Sequence, residues 1–163
     1  RYAHGEMTSA DSMKVDTTAV FYTVKGRRVY GGGGIIPDVF VPMDTTKATT
    51  FYINCNKKAT QMRFAQSMFD KYRGTLAGIN DFDRLDKWLD EVGLASQFLE
   101  YASRVDGLKP EEGEWAETES YMMPQLKALV GRFSKLGDEA FYRFYLPIDD
   151  TIQAALKNSS IVD

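Results

Sequence analysis

A chain of 163 residues, 44% hydrophobic and 26% charged, has the composition of one ordinary globular domain, or of one modest domain carrying part of another. Its net charge of −3 argues against a nucleic-acid partner, which calls for a basic face, and no apolar run approaches the roughly 18 residues that cross a bilayer. A single cysteine, Cys55, excludes an internal disulfide and a multi-thiolate metal site, and a single histidine, His4, leaves almost no room for a His-based metal centre or a Ser-His-Asp triad.

In chain order, Arg1 to Asp16 is polar and without sustained period, and reads as irregular backbone with an exposed His4. Arg1 opens the sequence without an initiator Met or a signal peptide, which reads as a processed chain or an excised segment. Thr17 to Val24 is dense in β-branched and aromatic residues and predicts a strand. Lys25-Gly26 predicts a turn, Arg27 to Tyr30 a returning strand, and Asp38 to Val41 a third short strand stopped by Pro42. Two or three antiparallel strands are marginal alone in water, so this ribbon reads as a piece of a larger sheet. Residues 1–45 carry five bases and five acids, so the helical remainder holds the whole net charge. The Thr-rich run Asp44 to Thr50 is the expected boundary between a β-rich part, 1–45, and a helical part, 46–163.

Beyond it the period becomes helical. Phe51 to Ile53 reads as a short extension or the first turn of a helix. Phe64, Ala65, Met68, Phe69 and Tyr72 form an amphipathic stripe, which Gly74 is expected to end near Arg73. Asp81 caps a helix with Phe82, Leu85, Leu89 and Val92 on one face, stopped by Gly93, and Leu94 to Val105 repeats the pattern. After the turn-rich Gly107 to Gly113, the longest helix is predicted over Glu114 to Leu136, with Pro124 in its first turn or kinking it. Gly137-Asp138 caps a helix over Glu139 to Tyr145, Leu146-Pro147 breaks it, and Asp149 or Asp150 caps a last one. The expected fold is α+β, mostly α: a small antiparallel ribbon followed by a compact bundle of five or six helices.

Ala19-Val-Phe-Tyr-Thr-Val-Lys-Gly-Arg27, followed by Gly34-Ile-Ile-Pro-Asp38, resembles the closing segment of the C-terminal processing (tail-specific) serine peptidases. That family carries a strand with a Tyr/Phe-Thr step, a Gly-Arg turn, and then Gly-Ile-x-Pro-Asp. The Gly-rich form Tyr30-Gly-Gly-Gly-Gly-Ile-Ile-Pro-Asp-Val-Phe-Val-Pro42 looks like the Bacteroidetes-type branch, as do Arg1-Tyr-Ala-His-Gly-Glu6 and Gly137-Asp-Glu-Ala-Phe-Tyr142. The resemblance implies a parent hydrolase that cleaves proteins or peptides near their C-termini by a Ser nucleophile and a Lys base. It implies a periplasmic or cell-envelope location, no cofactor, a protein or peptide substrate, and helices that buttress the core, shape access or mediate homo-oligomer assembly. The family's Ser, Lys and substrate-reading module all lie N-terminal to the Gly-Ile-x-Pro-Asp segment, so no catalytic residue transfers to this chain, and the chain alone is expected to be inactive.

The residues offer little else that reads as chemistry. Adjacent Ser134 and Lys135 on one helix do not face each other and cannot form a dyad. Gly31, Gly32, Gly33 and Gly34 would cradle phosphate only if a helix opened directly after them, and Pro37 with a β-rich run follows instead. They read as a wide connection between strands, and by family position as a candidate rim of a substrate groove. Arg27-Arg28 reads as a solvated turn, Glu111-Glu112 as linker and Asp149-Asp150 as helix cap rather than metal ligands. The rival expectation is a self-standing helical interaction domain with a β-hairpin arm.

Overall fold

The computed structural model describes residues 18–31, 39–41 and 48–159. It divides into two compact units, Arg1–Asp44 and Thr45–Asp163. Among the described residues it is mostly helical, with eight α-helices and a two-stranded antiparallel sheet.

In the first unit, β1 (Val20–Tyr22) pairs with β2 (Arg28–Tyr30) so that Val20 opposes Tyr30 and Tyr22 opposes Arg28. The expected strand over Thr17 to Val24 is shortened because Thr23 and Val24 belong to the turn. Thr23 donates its N–H to the Arg27 carbonyl at 2.8 Å, and its hydroxyl accepts from the Arg27 N–H at 3.0 Å. Gly26, at φ 79°, takes the left-handed position of this hairpin loop, where a Cβ would be strained. The third expected strand does not form over Val39 to Val41, which have no ladder partner among the described residues; Asp38, Arg1 to Asp16 and Thr17 lie outside them.

The second unit begins where Thr49 caps α1 (Thr50–Lys57), its hydroxyl accepting from the Tyr52 N–H at 3.2 Å. Phe51 to Ile53 is therefore helix rather than extension. Then follow α2 (Thr60–Lys71), α3 (Arg73–Ala77), α4 (Phe82–Glu91), α5 (Leu94–Asp106) and α6 (Glu114–Arg132). The last two are α7 (Asp138–Tyr145) and, after a 3-10 turn at Leu146–Ile148, α8 (Asp150–Lys157). The helix count exceeds the expected five or six because a short helix, α3, follows the end predicted near Arg73, and Phe51 to Ile53 belong to another, α1. Gly74 does not end α2. The break comes at Tyr72, whose ring meets Trp88 edge-on at 5.3 Å, and Gly74 lies inside α3.

Two more expectations change. Pro124 stands in the interior of α6, not in its first turn. That helix stops at Arg132 instead of Leu136, because the Ser134 hydroxyl bonds back to the Gly131 carbonyl at 2.6 Å and tightens the chain out of the α-helical path. Helix α6 packs against α1, α2, α4, α5 and α7. Around it Phe64, Phe98, Leu85, Leu89, Met122 and Leu126 are essentially without solvent contact. Phe98 meets Phe51, Phe64 and Trp115 with ring centroids 5.3–6.4 Å apart, the offset and edge geometry that aromatic quadrupoles favour.

Candidate functional site

The glycine run is described at one position. Gly31 donates its N–H to the Ala19 carbonyl at 2.8 Å, extending the hairpin ladder by one bond. A Cβ there would lie 2.5 Å from Cε2 of Phe21, so this glycine makes room for an aromatic ring crossing the strand. Its role within the hairpin is packing. Gly32, Gly33 and Gly34 lie outside the described residues.

None of the groups weighed for nucleophilic chemistry is assembled into a site. The Ser134 hydroxyl is engaged with Gly131, and Lys135 reaches Asn80 at 3.4 Å. Cys55 is fully buried, and burial, followed by the negative charge of Asp106, pushes its thiol up to about 12. It is an inert thiol at neutral pH, because the thiolate is the nucleophile. Asp149 caps α8 by accepting from the Ile152 N–H at 3.0 Å, and no group of three or more potential metal ligands occurs among the described residues.

The helical unit does carry an open groove of about 530 Å³ between α3 and α4. From α3 and the turn after it come Gly74, Thr75, Gly78 and Ile79; from α4 come Arg84, Lys87, Trp88 and Glu91. The α4 residues stand at i, i+3, i+4 and i+7, one face of a helix. Another face of the same helix places Phe82, Leu85 and Leu89 in or against the core, while Asp86 and Asp90 both hold Lys127 of α6, at 2.6 and 2.7 Å. Burial favours the neutral amine, but the two carboxylates outweigh it and leave the Lys127 pKa raised. Two acids of α4, Asp86 and Asp90, are thus drawn to α6, while Arg84, Lys87 and Glu91 face the groove.

Within the groove Lys87 has Glu91 at 3.8 Å, a loose exposed pair of little energetic weight. Arg84 has no ion-pair partner among the described residues. Ile79 is buried beneath the surface, and the half-buried Trp88 ring is steadied edge-on by Tyr72. Gly74 and Gly78, one helical turn apart, leave two positions of that wall without side chains beside Thr75 and Ile79; a Cβ at Gly74 would meet nothing within 4 Å. The sequence reading missed this site. Arg84 and Lys87 are unremarkable charges on a helix, and only the i, i+4 pairing of Arg84 with Trp88 opposite two glycines could have flagged it.

Two further charge clusters are structural. Asp106 at the end of α5 accepts from the Thr60 hydroxyl and the Arg63 guanidinium, both at 2.7 Å, and its carbonyl accepts from Lys58 at 2.9 Å. These bonds clamp the α1–α2 joint, where Ala59 is held at φ 51°. Glu114 does the same for the start of α1.

Family models, curated proteins and solved structures were all compared with the chain, and none matches it. No helix among the described residues is long and apolar enough to cross a membrane.

Proposed function

We propose that the hairpin is the closing edge of the catalytic sheet of a C-terminal processing serine peptidase, and that Thr45–Asp163 is a non-catalytic helical unit of the same enzyme. The observation that carries this reading is the exposure of the ribbon's apolar side chains. Val20 is 39% exposed, Phe21 59%, Tyr22 70% and Val24 109%. Among the described residues no layer covers that apolar surface, and adding strands would supply one. The motif order from Ala19 to Asp38 names the family whose sheet would do so. In that enzyme a serine hydroxyl attacks the scissile carbonyl while a lysine amine takes its proton. Both residues, the substrate-reading module and the envelope location belong to the parent, and this chain contributes the sheet edge and the helical unit.

Sequencing the open reading frame upstream of Arg1 is the first test. Ser and Lys motifs there are the expected result, and their absence overturns the proposal. Hydrogen exchange supplies a second test: the amides of Phe21 and Val29 are expected to exchange fast in the 163-residue chain and slowly in the parent. Equal exchange in both also counts against it. The rival reading, a self-standing helical interaction domain, draws support from the groove between α3 and α4, which owes nothing to the ribbon's residues.

A further inference from the structure

We infer that the groove between α3 and α4 docks an acidic, aromatic-bearing peptide segment of a protein partner. The charge balance sets the sign of the ligand. Lys87 is answered by Glu91, whereas Arg84 lines the groove with no carboxylate against it among the described residues. The two acids that might have neutralised this face, Asp86 and Asp90, are held by Lys127 on the other side of α4. An incoming carboxylate would meet an uncompensated guanidinium, which binds it through two parallel N–H donors.

The apolar part of the ligand is set by Trp88 and Ile79. Trp88 lines the groove with its indole N–H bound to no described residue, and aromatic side chains of this kind anchor peptide contacts. The two glycines on the α3 side suit a polypeptide ligand. With no Cβ at Gly74 or Gly78, an extended backbone can approach α3 closely. At about 530 Å³ the open groove suits a few residues of such a segment. The inference concerns the helical unit alone and stands whether or not the parent is a peptidase.

The test uses the full 163-residue chain, isotope-labelled, and a short acetylated peptide of Asp, Glu, Phe and Leu residues at up to about 1 mM. The control peptide carries Lys at every acidic position. The expected result is a saturable shift of the Gly74 and Gly78 amides and the Trp88 indole resonance with the acidic peptide only. Arg84→Ala should weaken binding about tenfold, and Arg84→Glu should move the preference to the lysine peptide, as reversal of a rim charge does. Arg84 is exposed, so neither change disturbs folding, and an unchanged thermal midpoint checks this. The inference is overturned if these resonances do not move, if Arg84→Glu leaves the preference unaltered, or if sedimentation shows a second copy of the chain occupying the groove.

Discussion

Glu114 joins two helix starts with one carboxylate. Its Oε1 accepts from the Phe51 N–H in the first turn of α1 at 2.7 Å, and its Oε2 accepts from the Glu111 N–H just ahead of α6 at 2.8 Å. A negative charge beside two N-termini answers both macrodipoles, and at Phe51 it fills a donor that α1 leaves unpaired. Glu114→Ala is expected to destabilise the fold by about 1.5–3 kcal/mol, measured by urea unfolding, with Glu114→Gln losing less. A loss near zero would mean that water replaces the carboxylate. Asp106 offers a pH test. Hydrogen bonds from Arg63, then from Thr60, hold its carboxyl below the usual range. The unfolded chain takes up this proton near pH 4 and the folded chain only at lower pH, so the stabilisation is whole above about pH 4 and is lost as pH falls below it. Asp106→Asn should flatten that acid-limb slope in urea midpoints recorded between about pH 5 and pH 2. Neither role is legible in the sequence. The sequence gives neither residue a partner, because Phe51 and Arg63 lie 63 and 43 residues away.

At the scale of elements, the apolar stripes located most helices, while the ends of α2 and α6 fell earlier than predicted. Gly74 carried the stop signal, but α2 breaks at Tyr72, whose ring meets Trp88. Gly131 shows the reverse, a glycine whose reason is invisible locally. A Cβ on it would lie 3.0 Å from the Ala140 Cβ, so α6 and α7 cross as closely as backbones allow. Gly131→Ala gains helix propensity but pushes α7 away from Leu85 and the core. A net destabilisation of about 1–3 kcal/mol is expected by chemical denaturation. A more stable variant would show that α7 yields freely. Helix α4 extends the same lesson to the candidate site: its periodicity was readable, but which of its charged faces would stay unpaired depended on Lys127 in α6.

For the whole molecule, the two units differ in how they hold themselves together. Thr45–Asp163 contains its own buried core, whereas the hairpin leaves Phe21 and Tyr22 largely in water. Expressed alone, residues 45–163 are therefore expected to unfold in one cooperative transition, at a urea midpoint indistinguishable from that of the whole chain. A sloping, non-cooperative melt would show that the first unit is needed.

By itself the sequence determined the mostly helical class and the hairpin with its glycine turn, since these follow from residue type and local spacing. The caps at Asp81 and Asp149 were likewise settled or narrowed locally, because a cap bonds to backbone three residues away. Tertiary structure decided which polar groups are neutralised. It drew Asp86 and Asp90 to Lys127, buried Cys55 into inertness, and left Arg84 facing a groove. Charge pairing depends on distance in space, and that distance exists only once helices far apart in sequence have packed.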